Sequence, residues 1–135
     1  MSSIQWTTYL SVGIDFIDDQ HKELFNRINI LLEACNNGKG KEVISGTFDF
    51  LQSYVVQHFQ AEEAYMTRYN YPAYPEHKVQ HDRFIEDVLK LKSQLDSEGA
   101  SGLIVIQTNR VVVNWLNKHI RNVDTLLGEF LKSKI

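Results

Sequence analysis

The sequence predicts an all-α protein, an antiparallel up-down-up-down four-helix bundle with an N-terminal arm. Three observations predict it. Four stretches space their apolar residues three and four apart, which places them on one face of a helix. Turn signals separate these stretches: Asn37-Gly38-Lys39-Gly40, Asn70-Tyr71-Pro72 and Ser97-Glu98-Gly99-Ala100-Ser101-Gly102. No stretch shows the clean apolar/polar alternation that a half-buried strand requires. Short connections then make consecutive helices antiparallel neighbours.

Residues 1 to about 17 read as the arm. Trp6, Tyr9, Leu10, Val12, Ile14 and Phe16 supply apolar surface, but Ser11 and Gly13 interrupt any helical pattern. The arm is expected to lie across the outside of the bundle. The first helix is expected from Asp18, a suitable N-cap, with Leu24, Phe25, Ile28, Leu31, Leu32 and Cys35 on its inner face and His21 on the same seam. The second runs from near Lys41 to about Arg68 on the seam Phe48, Leu51, Val55, His58, Glu62 and Met66. Pro75 suits the first turn of the third helix, whose seam is His77, His81, Phe84, Val88, Leu91 and Leu95. The fourth extends from about Leu103 to Leu131 on the seam Thr108, Val112, Trp115, His119, Val123, Leu126 and Phe130. Asp124 follows His119 by five residues, about 140° around an ideal α-helix, so it is expected to lean off the histidine's axis. That offset is poor for sharing one metal with His119 and suits reaching a second. Glu63 points roughly 100° away from Glu62 and is expected to be solvated or helix-capping. Tyr65, Tyr69, Tyr71 and Tyr74 are assigned to packing between helices.

The 135 residues, 43% hydrophobic and 23% charged, suffice for one well-buried core. A single domain over 1–135 is expected, with the arm at 1–17 and the bundle at 18–131. A formal charge of -3, without a run of Lys and Arg interleaved with aromatics, argues against nucleic acid as a partner. The apolar runs 103–106 and 111–113 fall far short of the roughly 20 residues that span a bilayer, so no membrane insertion is expected. The N-terminus has no basic segment followed by an apolar one, which makes the cytoplasm the expected compartment. Cys35, the only cysteine, excludes an internal disulfide and a cysteine-built metal cage, and is read as a small buried hydrophobe.

All five histidines fall on predicted inner faces, together with Glu62 and Asp124. His58 and Glu62 are four apart, as are His77 and His81, so each pair projects from one helix face. A lone histidine there is more often a hydrogen-bonded core residue. Seven polar groups in one core are another matter, because each costs about 1–3 kcal/mol without a partner, and a carboxylate far more. A polar network is one form of compensation; a metal is the more direct one. Five imidazoles and two carboxylates exceed a four-coordinate zinc site, and His77-Lys78-Val79-Gln80-His81 lacks the glutamate of metalloprotease helices. No glutamate precedes a histidine by three residues, which removes the ferritin-like di-metal pattern. Two metal ions account for the ligand number most simply.

Four segments carry a resemblance to a known family: GIDFIDDQHKELF around His21, HFQAEEAYM around His58 and Glu62, YPAYPEHKVQHDRF around His77 and His81, and WLNKHIRNVD around His119 and Asp124. Together they resemble the hemerythrins in their single-domain bacterial form, from Trp6 to about Phe130. The resemblance implies two iron ions, a non-heme di-iron centre bridged by carboxylates and by an oxo or hydroxo group. It places His77, His81 and His119 on one iron, His21 and His58 on the other, and Glu62 and Asp124 between them. That donor set leaves two octahedral irons one donor short, on the two-histidine iron, where dioxygen fits. Phe59, Trp115, Leu116 and Ile120 are the expected walls of a dry oxygen pocket. The implied function is reversible oxygen binding for storage, delivery or buffering, with dioxygen as the partner. The alternative is an oxygen or redox sensor acting through a separate protein, and the few residues after Phe130 favour the carrier. No inner-face residue is left to serve as a general acid or base, so an enzyme is not expected.

Overall fold

The computed structural model describes residues 6–134; the termini beyond them and the side chain of Cys35 lie outside the described residues, so its expected burial is not addressed. Four long helices account for most of the chain. Helix α1 is Asp15–Asn36. Helix α2 (40–68) is built from Gly40–Phe50, a π turn at Leu51–Val55, and Val56–Arg68. Helix α3 is Tyr74–Glu98. Helix α4 (102–132) is built from Gly102–His119, a π turn at Ile120–Asp124, and Thr125–Lys132. No strand is formed among the described residues, and none of their helices is long and apolar enough to cross a membrane.

The connections follow from their residues. Gly38 and Asn70 take left-handed backbone just past the ends of α1 and α2, at φ 74° and 56°. Each lets the following N–H turn back to the helix: Lys39 donates to the Ala34 carbonyl at 2.6 Å and Tyr71 to Met66 at 2.8 Å. Pro75 occupies the first turn of α3, as expected, and the Ser101 hydroxyl caps α4 by accepting the Ile104 N–H.

Two expectations are corrected at the N-terminus. Helix α1 begins at Asp15, and Asp18 does not cap it. The buried Asp18 carboxylate instead accepts the Val12 N–H at 2.8 Å and the Ser11 hydroxyl at 2.6 Å, which ties the arm to the helix. The arm crosses α4 at Gly128, where a Cβ would run into the Val12 carbonyl oxygen. Val12, Ile14 and Ile17 close one end of the bundle against Met66, Leu127 and Leu131, with Tyr65, Tyr69, Tyr71 and Tyr74 packed around them.

Cys35 apart, the seams of α1, α2 and α3 are buried as the periodicity predicts. The seam of α4 holds at Thr108, Val112 and His119, with Trp115 half-buried beside the buried Leu116, and beyond His119 it slips by one residue. Leu127 and Leu131 are fully buried, whereas Leu126 is 56% exposed and Val123 and Phe130 are half-buried. The π turn at Ile120–Asp124 is the cause: it absorbs one extra residue, so the inward positions run 119, 124, 127, 131.

Candidate metal centre

Seven side chains from all four helices converge at one level of the bundle. His21 comes from α1, His58 and Glu62 from α2, His77 and His81 from α3, and His119 and Asp124 from α4. All seven are buried. The two carboxylates divide their oxygens between two groups of imidazoles. Glu62 Oε1 lies 3.2 Å from His81 Nε2 and 3.8 Å from His77 Nε2, and Asp124 Oδ1 lies 3.0 Å from the Nε2 atoms of both His77 and His119. The other oxygens face the other group: Glu62 Oε2 is 3.6 Å from His58 Nε2 and 3.8 Å from His21 Nε2, and Asp124 Oδ2 is 3.1 Å from His21 Nε2. Within each group one donor atom per residue lies within 4.8 Å of the others.

The expected offset between His119 and Asp124 does not occur. The π turn between them brings residues five apart onto one helix face. Asp124 consequently stands beside His119 and still reaches the second group.

A polar residue behind the ring orients three of the histidines. Gln20 Oε1 lies 2.6 Å from His58 Nδ1, Gln80 Oε1 lies 2.9 Å from His119 Nδ1, and Glu63 Oε2 lies 2.9 Å from His81 Nδ1. These acceptors fix the proton on Nδ1 and leave Nε2 as a lone pair aimed inward. Glu63 is therefore not a freely solvated charge, as sequence position suggested. Burial raises its pKa while Lys78, 3.9 Å away, pulls it back. Gln20 and Gln80 were missed altogether. The available signal was their place one residue before a seam histidine, rotated toward the neighbouring helix, where each serves the histidine of another helix.

The electrostatics demand a cation. Burial, reinforced by the neighbouring imidazoles, lowers His58 to about 3 and His81 to about 2, so both are neutral at physiological pH. Burial pushes Glu62 well above the usual carboxylate range, with Asp124 adding to the rise. Burial pushes Asp124 the same way, but His119, His21 and His77 together hold it well below that range. Lone pairs of His81 and Glu62 thus meet at 3.2 Å, and only a proton or a metal between them makes the contact favourable. The Nε2 atoms of His21, His77, His81 and His119, both Glu62 oxygens and Asp124 Oδ1 make no hydrogen bond. Such a cluster of orphaned acceptors, split into two groups that share both carboxylates, fits a pair of metal ions.

Aromatic rings close one side. Phe59 stacks on the His81 ring at 3.8 Å with 2° between planes, and Trp115 stacks on His119 at 4.2 Å. Phe84 backs Trp115 at 4.2 Å. Leu116 and Ile120, which flank His119 on α4, are both buried.

The chain is similar to known proteins in sequence and in fold. Residues 12–131 match the hemerythrin HHE cation binding domain. The bacteriohemerythrin of Methylococcus capsulatus is 33% identical over 134 residues, covering 98% of this chain and all of that one. A hemerythrin-like protein of Naegleria gruberi is 34% identical over 91% of this chain and 89% of its own. A wild-type hemerythrin crystal structure superimposes with a TM-score of 0.83 at 32% identity, covering 95% of this chain and 97% of that one.

Proposed function

The chain belongs to the hemerythrin family, and from that premise we propose that it binds dioxygen reversibly at a pair of non-heme irons, storing, delivering or buffering oxygen in the cytoplasm. His77, His81 and His119 would hold one iron and His21 and His58 the other, with Glu62 and Asp124 shared between the two. One observation carries this reading: each buried carboxylate turns one oxygen to the three-histidine group and the other to the two-histidine group. When bound, the irons supply the reversible redox chemistry that oxygen binding needs.

The chain's own residues supply the rest. The neutral imidazoles of His58 and His81 offer lone pairs without competing protons, and the acceptors at Gln20, Glu63 and Gln80 turn Nε2 of His58, His81 and His119 inward. Two negative carboxylates in a dry core would each cost several kcal/mol, and they offset the charge of two cations instead. Phe59, Trp115, Leu116 and Ile120 are assigned as the apolar cover of the oxygen site; Phe59 and Trp115 lie against His81 and His119 of the three-histidine group, and all four act by excluding water, which disfavours irreversible oxidation. With irons bound, all five histidines would be committed as ligands, so none would serve as a proton donor to the pocket. We assign no catalytic residue.

The test is a gas titration of the iron-loaded, reduced chain together with an iron assay. The expected result is two irons per chain and one dioxygen taken up per iron pair, then released under vacuum. A single iron per chain, or oxygen consumed without release, overturns the proposal.

A further inference from the structure

The groups behind the histidines are not alike. His58 and His119 are backed by the neutral amides Gln20 and Gln80, whereas His81 is backed by a carboxylate, Glu63 Oε2, at 2.9 Å. The Nδ1 atoms of His21 and His77 are buried without a hydrogen-bond partner. Glu63 is itself held: Lys78 Nζ lies 3.9 Å from its other oxygen and 3.0 Å from Asp82 Oδ2, so the two acids on either side share one cation. At 18% exposure the Glu63 side chain is shielded, while Lys78, at 41%, reaches solvent. The Lys78–Glu63–His81 series is thus a single line of charge from the surface to the centre.

We propose that Glu63 is a positioning residue that makes His81 the strongest donor among the five histidines, and thereby lowers the reduction potential of the iron held by His77, His81 and His119. A carboxylate accepting the Nδ1–H draws that proton toward itself and raises the electron density on Nε2, as a neutral amide does far less. The added negative charge favours the ferric over the ferrous ion. Phe59, lying flat on the His81 ring, keeps that ring in the plane that both Glu63 and the metal require. The inference rests on the di-iron reading above and assigns one of its two irons a distinct electronic character.

Three variants separate charge from hydrogen bonding. Glu63→Gln keeps an acceptor and removes the charge, Glu63→Ala removes both, and Gln80→Glu places a charge behind His119. Two readouts need no iron. Nitrogen-15 NMR of the metal-free chain is expected to show His81 as the Nδ1–H tautomer in the wild type and in Glu63→Gln, and a mixture of tautomers in Glu63→Ala. Zinc(II) affinity, measured by competition with a chelator, is expected to fall about tenfold in Glu63→Gln and up to about 100-fold in Glu63→Ala. In the iron-loaded chain the lower of the two reduction potentials, that of the three-histidine iron, rises in Glu63→Gln, by about 59 mV for each tenfold change in the ratio of ferric to ferrous affinity, and falls in Gln80→Glu. An unchanged potential in Glu63→Gln, or zinc affinity equal to the wild type, overturns the role of Glu63 even if the wild type oxygenates normally. A wild type that takes up no iron pair overturns the di-iron reading instead, and this inference with it.

Discussion

Lowering the pH of the metal-free chain from 7 to 5 should destabilise it by an amount that the buried histidines set. His58 and His81 are held at about 3 and about 2 in the folded state, against an ordinary value near 6.5 in the unfolded chain. Below 6.5 the unfolded chain takes up protons that the folded one refuses, so stability is lost as pH falls from 6.5 toward 3. At pH 5 each histidine costs about 2 kcal/mol, or about 4 kcal/mol for the pair. Glu62 works in the opposite sense: its folded pKa is raised by burial, so protonation favours the folded chain as pH falls toward the unfolded value. Asp124, held low, matters only in stronger acid. The net loss is therefore roughly 1 to 4 kcal/mol, a large share of an ordinary domain's 5–15 kcal/mol. Urea denaturation of the metal-free protein at the two pH values measures it, and His58→Gln should reduce the loss by about 2 kcal/mol. Stability that is flat or rises toward pH 5 would show that these imidazoles are not held neutral, and the argument that the core requires a cation would fail with it.

Two substitutions probe other parts of the structure. Gly128→Ala is favourable by about 1 kcal/mol on helix propensity alone, yet the clash with the Val12 carbonyl forces the arm off α4 and uncovers Val12 and Ile14. A net loss of about 2–4 kcal/mol is expected from that exposure, read by urea denaturation; a stabilised variant would mean the arm does not cross there. Trp115→Ala removes the ring that stacks on His119 and contacts Phe84, so it should cost about 2–4 kcal/mol and shorten the time to irreversible oxidation in air. Unchanged air oxidation would remove Trp115 from the pocket wall.

The fold was legible because its pattern is repetitive. Three seams of alternating three and four spacing placed His21, His58, Glu62, His77 and His81 on inner faces, and the turn residues Gly38, Asn70 and Pro75 separated the helices where the structure separates them. The last helix was misread for a physical reason. A π turn adds one residue without changing composition, and Leu126 and Leu127 are adjacent leucines, so either register satisfies a helical period. Only the packing of α4 against the arm and α2 decides between them, and with it the place of Asp124. Asp18 was misread because a short acid before an apolar run serves equally as a cap or as an anchor for an arm. Glu63, Gln20 and Gln80 were unreadable from their own helices, since each orients a histidine on a different one.

The central claim is a di-iron centre that binds oxygen and gives it back. The most direct test is the visible absorption spectrum of the iron-reconstituted, reduced protein, recorded without oxygen, after brief exposure to air, and again after deoxygenation. A charge-transfer band that appears with oxygen and disappears when oxygen is removed, through repeated cycles, is the expected result. A band that persists after deoxygenation, or no iron-dependent band at all, would contradict it.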